Sequence, residues 1–285
     1  MAPRPCPVEG WTTSNPLSSP SGGAFRAPPD RGPRVCQGAP IGRPLAFSYT
    51  GEVPSNPNAP SPEPLTPSVG WGVLHLFLRM GPAVEAEAVV RAVKDARAAG
   101  DQVVTVALLG HKADLGVMTL GEDLWRLRAL QSALCGAGLE LTGSYVSLTE
   151  LSEYAPGLPD EMKQARLFPT LPPADKRAFC FYPMSKRRSA SRNWYALDFD
   201  ARKALMLGHG AVGRTFHGRI LQLITGSTGL DDWEWGVTLF GVHPDDLKAC
   251  VYEMRFDEAS AHYAEFGPFW TGMVGEIEDV LDSVR

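Results

Sequence analysis

A chain of 285 residues is long enough for one large domain or two small ones, and a composition 44% hydrophobic and 9% aromatic suits a globular protein. A net charge of −5 disfavours a general nucleic-acid surface. No apolar run reaches the roughly 20 residues of a membrane span, the first residues carry Pro, Ser and Gly where a signal peptide needs an apolar stretch, and the five scattered cysteines contain no CxxC pair, which predicts a reduced, cytoplasmic protein.

Residues 1–68 are dominated by Pro, Gly, Ser and Asn. Such a segment buries too little to offset an ordering cost of roughly 1–2 kcal/mol per residue, so a disordered N-terminal extension without a function of its own is expected. Regular structure is expected from VGWGVLHLFLRM, a strand by its apolar and β-favouring residues. A helix follows, with Pro82 in its first turn and Val84, Ala88, Val89, Ala92, Val93 and Ala96 as an apolar stripe ending at Gly100. Strands QVVTVALLG and ADLGVMTLG come next, then a helix marked by Leu124, Leu127, Leu130 and Leu134, then a strand through LELTGSYVSLTEL.

This β-α-β-β-α-β order is that of a ferredoxin-like unit. After a Pro-rich connector, PTLPPADK, the order repeats: strand RAFCFYPM, a helix from Asp200 to about Phe216, strands RILQLITGS and WEWGVTLFGV, a short helix starting over Asp245–Ala249, and CVYEMRFDE as the final strand. The prediction is an α+β chain of two tandem ferredoxin-like units, residues 69–174 and 175–285, whose sheets pack together as a dimeric α+β barrel.

Residues that could carry chemistry crowd into Arg177–Gly272. Among the six histidines only His209 lies in a strongly helical, mostly apolar setting, KALMLGHGAVGR, with glycine on both sides. Each glycine costs a helix roughly 1 kcal/mol against Ala, so a flat, bulky object such as a haem approaching this face would explain them. A core histidine bonded to a neighbouring strand is the commoner meaning of such a residue. Tyr182 and Lys186 stand at the end of a strand that leads into the basic stretch SKRRSASR. An ammonium near a phenol favours phenolate or a hydrogen-bonded phenol, and the basic cluster of Lys186, Arg187, Arg188 and Arg192 could hold an anionic substrate; packing and solvation are the ordinary alternatives. Trp194, Trp233, Trp235 and Trp270 read individually as core. The turn at Gly226, Ser227 and Gly229 lacks a following helix, so a nucleotide site is discounted.

The motifs YPMSKRR, NWYALD, GHGAVGR, GSTGLDDWEWGVTLF and YEMRFDEASAHYAEFGPF together resemble the coproheme decarboxylases of the chlorite dismutase-like superfamily, over about Val69 to Trp270. What the resemblance implies can be placed by residue. His209 matches the proximal ligand of the iron, Tyr182 the tyrosine that becomes a radical, and Lys186 the lysine that assists at a propionate. Trp194 lines the same pocket, Gln222 falls above the iron near Met184, Arg255 and Ser260 match propionate contacts, and Tyr145 resembles a further propionate contact from the first half.

The activity so implied is peroxide-dependent decarboxylation of two propionates of Fe-coproporphyrin III (coproheme), substrate and redox cofactor in one, to the vinyls of haem b. Hydrogen peroxide is the co-substrate, the assembly a homopentamer, and a ferrochelatase a transient partner. Chlorite dismutases put an arginine where this chain has the neutral Gln222, which disfavours chlorite decomposition. A haem carrier or sensor would need neither Tyr182 nor Lys186. Residues 162–176 lack the distal histidine that some relatives carry, which points to a glutamine-type pocket.

Overall fold

The computed structural model describes residues 62–154 and 157–285. The greater part of the expected extension, residues 1–61, lies outside the described residues. In the first half β1 (Gly72–Arg79), α1 (Ala86–Ala98), β2 (Gln102–Leu108), β3 (Leu115–Gly121), α2 (Leu124–Gly136) and β4 (Glu140–Thr149) follow the expected order, and a helix α3 (Asp160–Leu167) precedes the second half. There β5 (Ala178–Lys186) runs into a small hairpin of β6 (Arg188–Ser189) and β7 (Arg192–Asn193). The chain continues through α4 (Phe199–Arg214), β8 (Ile220–Gly226), β9 (Trp235–Gly241), α5 (Pro244–Met254), α6 (Glu258–Tyr263), β10 (Ala264–Phe266), β11 (Trp270–Gly275) and α7 (Ile277–Ser283).

Local chemistry accounts for several boundaries. The α2 start is capped by Asp123, whose side chain accepts from Trp125 N–H at 3.0 Å. Leu65 completes that cap: its N–H donates to Asp123 Oδ1, also at 3.0 Å, and its carbonyl accepts from Leu124 N–H. Helix α1 begins at Ala86, later than Pro82 implied, with Glu85 as its N-terminal cap position. CVYEMRFDE is a correction of a different kind, since it is not a strand. Leu247, Cys250 and Met254 recur at helical spacing and are buried together, so the segment completes α5, and the last sheet strand is Trp270–Gly275.

All the larger strand pairings are antiparallel and run β10-β5-β11-β2-β3-β1-β4-β8-β9, with β9 returning to pair with β5. The four-strand orders β2-β3-β1-β4 and β8-β9-β5-β11 are each that of a ferredoxin-like unit. They are joined edge to edge at β11–β2 and β4–β8 into a closed ring, which leaves no free sheet edge in it. Alternation along each strand then divides the core in two. Val73, Phe77, Val106, Met118, Phe179, Phe181 and Phe240 fill the ring, while Leu76, Leu78, Val89, Val93, Leu130 and Leu134 pack α1 and α2 on the outside of the first half.

The second half is covered differently. Helix α5 packs on the sheet through Leu247 against Cys180, Val237 and Leu239, whereas α4 contains no buried residue and packs chiefly on α5 and α6. Gln222 and Ile224 consequently remain exposed on the outer face of a central strand, β8.

Candidate functional site

The outer face of β5, β9 and β8 and the helices beside it carry most of the residues singled out by sequence. On β5, Cys180, Tyr182, Met184 and Lys186 alternate onto the outer face, opposite Phe179 and Phe181 inside the ring. Register sets Tyr182 beside Val237, which in turn pairs with Ile224, and sets Met184 beside Trp235. Gln222 lies one row away, paired with Leu239. One sheet face therefore presents a phenol, a thioether and an amide within three adjacent strands.

Helix α4 carries His209 on the side that meets α6. Asp198 starts the helix by accepting from Ala201 N–H at 2.8 Å, and Asn193 caps the turn Trp194–Ala196 just before it, so NWYALD encodes two successive caps. His209 is half-buried, and its Nδ1 lies 3.1 Å from Asp257 Oδ2. A carboxylate only accepts, so Nδ1 carries the proton and Nε2 is left with its lone pair free. Asp257 is itself fixed, because its other oxygen caps α6 by accepting from Ser260 N–H at 3.1 Å. Burial alone would raise the Asp257 carboxyl, but the hydrogen bonds from His209 and Ser260 outweigh it and hold it below the usual range. Gly208 faces open space, with nothing within 4 Å of where a Cβ would stand. Room beside the imidazole, rather than close packing of protein, thus accompanies the glycine.

Lys186 is buried, and its Nζ sits 4.2 Å from the centroid of the Trp194 ring and 3.4 Å from the Ala259 carbonyl on α6. Burial lowers its pKa to about 8, against the opposing pull of Asp257 and Glu234. The expected Tyr182–Lys186 ion–phenol pair does not form. Four residues along a strand span roughly 13 Å, and the ammonium turns to Trp194 instead. Tyr182 lies between Phe269, stacked at 4.4 Å, and Phe266, edge-on at 5.7 Å. Its phenol is pushed up by burial and by neighbouring Cys180 and Cys250, with Arg255 pulling the other way, so it is neutral.

The remaining candidates separate. Arg255 lies exposed at the end of α5 with its guanidinium 4.8 Å from the Phe266 ring, on the Tyr182 side. Ser260 directs its hydroxyl to within 3.4 Å of His209 Nδ1, so it supports the imidazole. Tyr145 is not brought to that outer face. Its strand parity puts it inside the ring, buried against Phe181, with its hydroxyl bonded to Ser227. Sequence reasoning missed Asp257 and Glu234, both buried carboxylates next to the site; the helix-start pattern Asp257-Glu258-Ala259-Ser260 was the available signal for the first.

Comparison with known proteins identifies the family of this fold. The chlorite dismutase family model matches residues 83–275. A coproheme decarboxylase of Staphylococcus carnosus is 42% identical over 233 residues, 72% of this chain and 92% of that protein. A protein of Natronomonas pharaonis is 40% identical over 247 residues, 75% of this chain, and the chain spans 40% of that relative's length. Among solved structures, a haem-binding protein from Thermus thermophilus superposes with a TM-score of 0.68 at 37% identity, covering 76% of this chain and 95% of that one. A mutant chlorite dismutase from Candidatus Nitrospira defluvii shares the fold with a TM-score of 0.61 at 21% identity, over 76% and 97% of the two chains. The chain belongs to the chlorite dismutase family.

Proposed function

We propose that this member of the family is a coproheme decarboxylase: it takes Fe-coproporphyrin III into the slot between α4 and the β5–β9–β8 face and converts two propionates to vinyls with hydrogen peroxide. The observation that carries the reading is that the N-terminus of α6 serves both sides of the slot, Asp257 fixing the His209 imidazole and the Ala259 carbonyl receiving the Lys186 ammonium. The relative from Staphylococcus carnosus, matched over 92% of its length, supports it.

The donor set suits an iron porphyrin. No three His, Cys, Asp or Glu side chains converge among the described residues, and a lone histidine with a free Nε2 suits a metal that brings its other ligands in a macrocycle. His209 would hold the iron; Met184, Trp194, Gln222 and Ile224 would contact the ring; Lys186 and Arg255 would offset propionate charge that is costly to bury unpaired. Bound iron supplies the oxidising power of peroxide, and each cycle balances as one propionic acid plus one peroxide giving a vinyl, carbon dioxide and two waters. Tyr182, a neutral phenol held between two aromatic rings, would pass its hydroxyl hydrogen to the peroxide-derived oxidant and recover one from the propionate carbon, the second electron of the oxidation going to the same oxidant as the bond to carbon dioxide breaks. Gln222, which would face the bound porphyrin from the sheet, carries no charge to steady a departing oxyanion, which separates this reading from chlorite decomposition.

A homopentameric, cytoplasmic enzyme that exchanges porphyrin with a ferrochelatase belongs to the same reading; among the described residues no helix is long and apolar enough to cross a membrane. The test is to add iron coproporphyrin III and peroxide to the purified protein and follow product mass. Loss of two carbon dioxide equivalents is expected from the natural chain. Tyr182→Phe should bind the porphyrin with an unchanged Soret titration and yield no vinyl product; undiminished turnover would exclude Tyr182 as the relay.

A further inference from the structure

Glu234 is a buried charge that the reaction above leaves without a task. It is 6% exposed, at the end of the turn that leads into β9, and its side chain reaches under the end of β5. Oε2 accepts the Lys186 backbone N–H at 2.7 Å. The backbone of Glu234 is tied to the same place. Its N–H donates to the Met184 carbonyl at 3.1 Å and Ser185 Oγ at 3.2 Å, and its carbonyl accepts from Ser227 N–H at 2.8 Å.

A carboxylate taken out of water costs several kcal/mol unless it is paired. Arg188 is a poor partner, since Nη1 lies 4.0 Å from Oε1 on a side chain that is 69% exposed. The other cation in its field is the Lys186 ammonium, itself buried. The groups facing that ammonium are Glu234 from the turn before β9, Asp257 from the start of α6, and the Trp194 ring with the Ala259 carbonyl; Glu234 itself also accepts from the Tyr195 hydroxyl and has Arg188 near its Oε1. A glutamine would accept the Lys186 N–H equally well, so the backbone bond alone does not call for a carboxylate. The charge acts beyond that bond on the groups around it, and among these the Lys186 ammonium is the cation that is itself buried.

We propose that Glu234 is a positioning residue for Lys186: it clamps the last residue of β5 through the backbone and supplies, with Asp257, the negative field that seats the ammonium beside the slot. Its part in turnover rests on the decarboxylase reading, whereas its effect on Lys186 does not.

The experiment uses the full chain and the nearly isosteric Glu234→Gln, which keeps the hydrogen-bond acceptor and removes the charge. Lysine labelled with 13C at Cε is titrated by NMR without porphyrin, the Lys186 signal being assigned by its absence in Lys186→Met. Opposite charge favours the charged form, so the Lys186 midpoint should fall by about one pH unit in Glu234→Gln, and the alkaline limb of kcat/KM for iron coproporphyrin III should move down with it. Porphyrin affinity should stay within about twofold, because His209 and its Asp257 partner are untouched. A Lys186 midpoint that stays in place or rises in Glu234→Gln overturns the proposal. If the natural chain decarboxylates nothing, the function fails while the NMR midpoint still decides the role of Glu234.

Discussion

At the scale of single residues, the site is built from ordinary side chains whose chemistry is set by one or two neighbours. His209 is oriented by Asp257, which neither composition nor spacing identified because the two residues are 48 positions apart. Lys186 shows the same dependence: as a member of SKRRSASR it looked like one more solvated cation, yet it is the last residue of β5 and buried, while Arg188 and Arg192 are exposed. Its pKa near 8 has a direct consequence for pH dependence. The ammonium is present below that value and lost above it, so decarboxylation kcat/KM should fall by about tenfold per pH unit on the alkaline side. Lys186→Met, assayed from about pH 6 to 10, should run at a low rate without that limb.

At the scale of elements, periodicity located β1 to β5, β8, β9, α1, α2, α4 and the start of α5, and missed α3, α6, α7 and the strands β6, β7, β10 and β11. CVYEMRFDE contains alternating apolar residues that suit a strand, but Cys250 and Met254 continue the stripe begun at Leu247, and the helix buries all three at once. Leu65, placed by composition in the extension, forms two backbone bonds with the α2 cap, which no compositional count could reveal. Removing residues 1–61 should therefore leave Tm and porphyrin affinity unchanged. Removing residues 1–66 should lower stability by about 1–2 kcal/mol through the lost α2 cap bonds, read as a fall in Tm, with the porphyrin titration unaffected.

At the scale of the whole molecule, the outer face that carries Tyr182, Met184 and Gln222 is one wall of a closed ring of strands, so packing inside the ring sets its register. Phe181 stands at the centre of that ring, fully buried, stacked on His75 at 4.1 Å and in contact distance of Phe77, Tyr145 and Trp270. Phe181→Ala should cost about 3–5 kcal/mol and lower Tm by roughly 10 °C in a thermal melt, and the Soret titration should weaken as the β5 register loosens. By itself the sequence determined the alternation of strands and helices, the ferredoxin-like order in both halves, and the concentration of Tyr182, Lys186 and His209 in one stretch, since periodicity and short motifs are local properties. Only the tertiary structure decided which of them meet. Strand parity sent Tyr145 into the ring and Tyr182 to its outer face, α4 stood away from the sheet, and α6 brought Asp257 to His209; each of these follows from long-range pairing and burial, which leave no trace in the spacing of neighbours along the chain.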